Sequence, residues 1–177
     1  MSNKIFKNKL QNKYILPYSV VLLSISLILS YIEALIPLNI GNLGVKIGLA
    51  NISTLISLHI LDTKWTFFIN IVRLIVIGIL FGNVIRFALS CAGFLLSFVV
   101  MVFLLNELSF SIVTTSIFGG VFHNIGQIIA LAFIMKNKSV LSLIPIYILI
   151  GIFSGLIIGI LSKIILKNLS ILHLNIK

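Results

Sequence analysis

Chemistry in this chain has few groups to draw on. Its 177 residues hold only three acidic side chains, Glu33, Asp62 and Glu107. Spread this widely, they do not make the carboxylate cluster that holds Mg²⁺ against a diphosphate. His59, His123 and His173 lack metal-ligand spacing, and no G-x-x-x-x-G-K-[ST] loop is present for ATP hydrolysis. The only thiol, Cys91, sits in an apolar run and says nothing about redox compartment. The expectation is a protein with no catalytic residue, no metal and no cofactor, and therefore not an enzyme.

What stands out instead is a small set of polar groups embedded in apolar stretches. Glu33 and Arg73 are ionisable, and His123 has Asn124 beside it and Gln127 one turn on. Helical spacing puts Thr66, Asn70 and Arg73 on one face, and Ser116, Gly120, His123 and Gln127 on another. Inside a membrane span such ionisable groups are costly, and a functional site is their usual explanation. Two readings stay open. The stripes are hydrogen bonds that hold helices together, with Arg73 and Glu33 neutralising each other, or they line a solute site.

The second reading converges Glu33, Asn51, Arg73 and His123 on one interior, with Asn124 and Gln127 supplying hydrogen bonds. Lys46 and Arg86 then lie near its outer mouth, and Leu38 to Gly44 forms either a glycine-containing lid or an ordinary turn. Lys46, Arg73 and Arg86 exceed Glu33 in charge, and a cation excess in a low-dielectric cavity favours an anionic solute. If Arg73 is neutralised by Glu33, the cavity suits a neutral, apolar ligand such as an isoprenoid tail.

These residues need a scaffold, and composition says which. The chain is 60% hydrophobic and 9% charged, with mean hydropathy +1.26. A soluble domain carries about 25% charged residues, and one core at this length cannot hide such an apolar excess. The fitting solvent is a lipid bilayer. Thirteen Lys and Arg against three acids give a net charge of +10. The cations sit at the ends and in the breaks between apolar runs, so their partner is an anionic leaflet and not a nucleic acid.

A spanning helix needs about 20 mostly apolar residues. The chain is read as an all-α integral membrane protein, a bundle of six transmembrane helices. The expected spans are Ile15–Pro37, Lys46–Leu61 (short), Trp65–Phe81, Arg86–Leu105, Phe110–Met135 and Leu141–Leu166. The first is too long for a signal-peptide core and has no A-x-A-like site after it. Residues 1–14 and 167–177 are tails, and 15–166 form one domain. The larger set of cations lies on the side of both tails and Lys64, which places both termini in the cytoplasm. Small residues repeat every four positions at Ser26, Ser30 and Ala34, and at Gly151, Gly155 and Gly159. Such seams let helices approach closely, within the chain or against a second protein.

Two blocks carry a resemblance: Ser30-Tyr-Ile-Glu-Ala-Leu-Ile-Pro37 and Lys46-Ile-Gly-Leu-Ala-Asn51. Together with Arg73, Phe81-Gly82-Asn83, Ser90, Gly93 and Gly119 to Gln127, they resemble the bacterial Gx transporter family, also labelled heptaprenyl diphosphate synthase component I. That family looks like the substrate-binding S components of energy-coupling factor transporters, six-helix bundles that hold a vitamin or similar solute. The resemblance implies an S-component-like fold that works with a separate coupling transmembrane subunit and two ATPase subunits, which fits the missing P-loop. It also implies docking through small residues of the first helix, here Ser26, Ser30 and Ala34. Prenyl diphosphate chemistry uses Asp-rich Mg²⁺ motifs, and this chain has a single Asp. Two functions follow as expectations: the solute-binding subunit of an importer, or an accessory membrane subunit of isoprenoid or quinone biosynthesis.

Overall fold

A computed structural model describes the backbone of residues 12–35, 48–81 and 84–174, and side chains over 14–35, 48–81 and 84–169. The elements are α1 (Asn12–Leu35), α2 (Asn51–Ile60), α3 (Thr63–Phe81), α4 (Val84–Asn106), α5 (Ile112–Ile134), a 3₁₀ turn at Lys138–Leu143, and α6 (Ile144–Leu174). No strand occurs among the described residues. Five helices are long and apolar enough to cross a membrane; α2 is not. Its 10 residues span about 15 Å, half of a hydrocarbon core about 30 Å thick.

The shortness of α2 corrects the expected span of Lys46–Leu61, and the backbone gives the reason. Gly48 has φ of +80°, a left-handed conformation that glycine adopts without steric cost and that a continuing helix cannot contain. Downstream, Leu61 is extended and Asp62 leads into α3. Residue 46 lies outside the described residues.

Side-chain contacts fix the helix directions. Tyr31 and Phe81 lie with ring centroids 5.9 Å apart, so α1 and α3 finish at the same end, here termed the upper end. Between them α2 runs the other way. The Gly48 N–H donates to the Glu33 carboxylate near the top of α1, and the Ser53 hydroxyl donates to the Leu22 carbonyl lower down, at 2.9 Å. Next, Gly78 packs on Phe87, Gly93 on His123, Gly119 on Met101 and Gly155 on Ile117, so α3 to α6 alternate in direction. The start of α1 and the finish of α6 therefore share the lower end.

The glycine seam on α6 is met from α5. A Cβ on Gly155 would fall 2.6 Å from the Ile117 Cα, and one on Gly120 would fall 2.5 Å from the Gly151 carbonyl oxygen. Only hydrogen fits there, and this close approach is how helices gain packing in a solvent as apolar as their side chains.

The core is divided. Leu22, Ile52, Leu55, Ile56, Ile69, Met101 and Ile158 join α1, α2, α3, α4 and α6. Leu74, Phe94 and Phe98 join α3 to α4, with Phe67 against them. Seven consecutive residues of α2, Asn51 to Ser57, are buried, as expected of a helix enclosed on every side. The long helices instead turn apolar side chains outward, Phe133 being 84% exposed and Ile79 76%. A face of that kind suits lipid and not water.

Candidate functional site

Buried polar groups on α2 and α3 meet near the middle of the bundle. The Thr54 hydroxyl donates to Asn70 Oδ1 at 2.8 Å, which pins α2 to α3. One turn above this bond, Thr54 gives way to Asn51 on α2 and Asn70 to Arg73 on α3. Asn51 and Arg73 are both buried. The Asn51 amide lies against Gly48, whose N–H is held by Glu33.

Arg73 is 6% exposed, and its Nε has no hydrogen-bond partner among the described residues. Glu33 is the carboxylate within electrostatic reach of it, and Cys91 on α4 lies nearby. The stripe predicted on α3 is therefore real, and its members divide by role. Thr66 donates to the Asp62 carbonyl at 3.2 Å, and the Asn70 amide donates to the Thr66 carbonyl at 2.9 Å. Thr66 is engaged locally, and Asn70 both locally and across to α2, as interhelical glue. Arg73 is the member with an unused donor.

On α4, Cys91 and Gly93 are two residues apart and so face opposite sides, Cys91 toward Arg73 on α3 and Gly93 toward α5. Gly93 leaves space that the His123 backbone and the Gln127 side chain fill; a Cβ there would fall 2.8 Å from the His123 carbonyl oxygen. The Gln127 amide donates to His123 Nε2 at 3.0 Å. An amide nitrogen only donates, so this bond places the ring proton on Nδ1. His123 and Gln127 are both buried.

The remaining expected positions separate from this cluster. Asn124 is buried, but its amide donates to the Tyr147 carbonyl at 2.9 Å, joining α5 to α6; it takes the interhelical role weighed for these stripes. Arg86 is exposed near the start of α4, and its carbonyl accepts from Ser90 at 2.7 Å. It stands at the upper end, outside the buried set. Lys46 and the Leu38–Gly44 segment lie outside the described residues. Sequence reasoning missed the Gly48 N–H that holds Glu33, and the placement of Cys91 beside Arg73. A backbone donor leaves no side-chain signal, and a lone cysteine among apolar residues reads as packing.

The α1 seam resolves inward. Ser26 is fully buried and Ser30 nearly so, while Ala34 is exposed. Ser19, Leu22, Ser26 and Ser30 form the stripe that α1 turns to α2 and α3. Two of the three positions expected to dock a partner are thus taken by packing within this chain.

What the cluster can do follows from its contents. Around Arg73, one guanidinium with a free Nε, one half-buried carboxylate and the Asn51 amide can bind and orient a small polar solute, while His123 and Gln127 form a separate buried pair on α5. Among the described residues no group of three or more His, Cys, Asp or Glu could hold a metal ion. An open, largely apolar recess lined by Phe98, Val99, Val102, Phe103, Asn106 and Glu107 lies on the lower part of α4, away from these groups.

A family model described as heptaprenyl diphosphate synthase component I matches residues 22–165. No curated protein and no solved structure matches the chain.

Proposed function

As the chain belongs to the heptaprenyl diphosphate synthase component I family, we propose that it is the solute-binding membrane subunit of an energy-coupling factor type importer. The solute is small and anionic. The observation that carries this reading is Arg73, a cation enclosed in an apolar bundle with its Nε unpartnered. A buried donor left without a hydrogen-bond partner is expensive, and an acceptor on a bound solute would supply the missing bond. Glu33 is within electrostatic reach of Arg73, and the Gly48 N–H that Glu33 holds lies against the Asn51 amide.

In this reading the chain contributes capture and other chains contribute work. A coupling transmembrane subunit and two ATPases supply the energy, in the cell membrane, with both termini of this protein cytoplasmic. The parallel course of α1 and α3, with α2 running the other way, supports six crossings. With Ser26 and Ser30 packed internally, docking falls to the outward faces of α1, around Ala34 and Ile28.

The family's printed description favours a second reading, an accessory membrane subunit of a prenyl diphosphate enzyme. Affinity capture of the full-length protein from its own membranes separates the two. Recovery of ATPases with a membrane coupler supports the importer; recovery of a soluble prenyltransferase without ATPases overturns it.

A further inference from the structure

The charge inventory of the cluster restricts the solute more than the word anionic does, provided the cluster is the solute site proposed above. Arg73 is the one buried cation among the described residues; Lys64, Arg86, Lys136, Lys138, Lys163 and Lys167 are exposed. Glu33 is the one acid at the upper end, since Asp62 precedes α3 and Glu107 follows α4 at the lower end. The Glu33 carboxylate accepts from the Gly48 N–H. The two side chains then sum to zero, and a bound monoanion leaves a single net negative charge. Each further negative charge would be buried without a cation, which a low-dielectric interior penalises. A diphosphate brings at least two.

Shape points the same way. The unpartnered nitrogen is Nε, the inner edge of the guanidinium fork. A planar carboxylate pairs side-on with that edge, taking Nε–H and one Nη–H in parallel. Asn51 adds a neutral group, which suits an uncharged polar part of a solute.

We infer that the site takes a solute with a single carboxylate, bound side-on by Arg73, and does not take a prenyl diphosphate. The test is mass spectrometry, in both ion modes, of small molecules released by denaturing the detergent-extracted full-length protein. Wild type, Arg73→Gln and Arg73→Lys are compared, each checked for folding by thermal exposure of Cys91. The expected result is a monocarboxylate that falls more than tenfold in Arg73→Gln and is also reduced in Arg73→Lys, which keeps the charge but loses the fork. Should Arg73→Gln unfold, Arg73→Lys alone makes the comparison. A phosphate-bearing solute that depends on Arg73 overturns the carboxylate assignment and leaves the solute-binding role standing. No Arg73-dependent solute from any preparation overturns both.

Discussion

Replacing Gly155 with alanine tests how the bundle is held together. The added Cβ would lie 2.6 Å from the Ile117 Cα and 2.7 Å from the Ser116 carbonyl oxygen. Carbon atoms rest at about 3.5–4.0 Å, so α6 must withdraw from α5 by about 1 Å. Both obstructing atoms are backbone, and no rotamer change can make room. Overpacking of this kind costs about 1–3 kcal/mol, which for a chain of this size lowers the melting temperature by roughly 2–12 °C. Cys91 is the sole thiol and is only partly buried, so a thiol-reactive fluorophore follows unfolding in detergent without a further label. Gly78→Ala is the internal comparison, because its Cβ meets the Phe87 ring at 2.6 Å and a side chain can swing aside. The reasoning requires Gly155→Ala to be the more damaging. A Gly155→Ala protein that melts within 1 °C of wild type, or one more stable than Gly78→Ala, refutes it.

Three further outcomes are expected. Asn124→Leu leaves the Tyr147 carbonyl without its donor and lowers stability by about 0.6–1.7 kcal/mol, as for other interhelical bonds in membranes; thermal unfolding should show this while solute recovery is unchanged. Ser26→Leu places a large side chain on a fully buried position and destabilises the isolated protein by about 1–3 kcal/mol, whereas a drop in partner capture without any loss of stability would return that position to docking. In a Cys91→Ser background, Lys138→Cys reacts with an impermeant thiol reagent from outside intact cells, and Lys64→Cys and Lys167→Cys do not.

Much of the scaffold was legible because length and apolarity speak directly in a membrane. Five of the six expected spans appear as long apolar helices. The repeat at Gly151, Gly155 and Gly159 announced a close helix contact, and α5 supplies it. The i, i+4 spacing of His123 and Gln127 put them on one face, where they prove to be hydrogen-bonded to each other. Other features depend on what a pattern faces, which one chain's periodicity does not record. Ser26 and Ser30 signal close approach without saying to which helix. Asn124 reads like a ligand-binding amide until its partner proves to be a main-chain carbonyl 23 residues away. Arg86 counted toward a cation excess that its exposed position at the start of α4 removes. The ten-residue length of α2 turns on the backbone angle of Gly48, and a glycine in sequence does not declare its φ.

The central claim is that Arg73 is held for a solute and not for Glu33. Arg73→Gln, Glu33→Gln and the double variant, each measured for thermal stability and for solute retained through purification, test this most directly. The account predicts that Arg73→Gln stays folded and loses its solute, while Glu33→Gln stays folded and keeps at least part of it. Equal loss of stability in the two single variants, restored in the double, would show a structural ion pair and contradict the account.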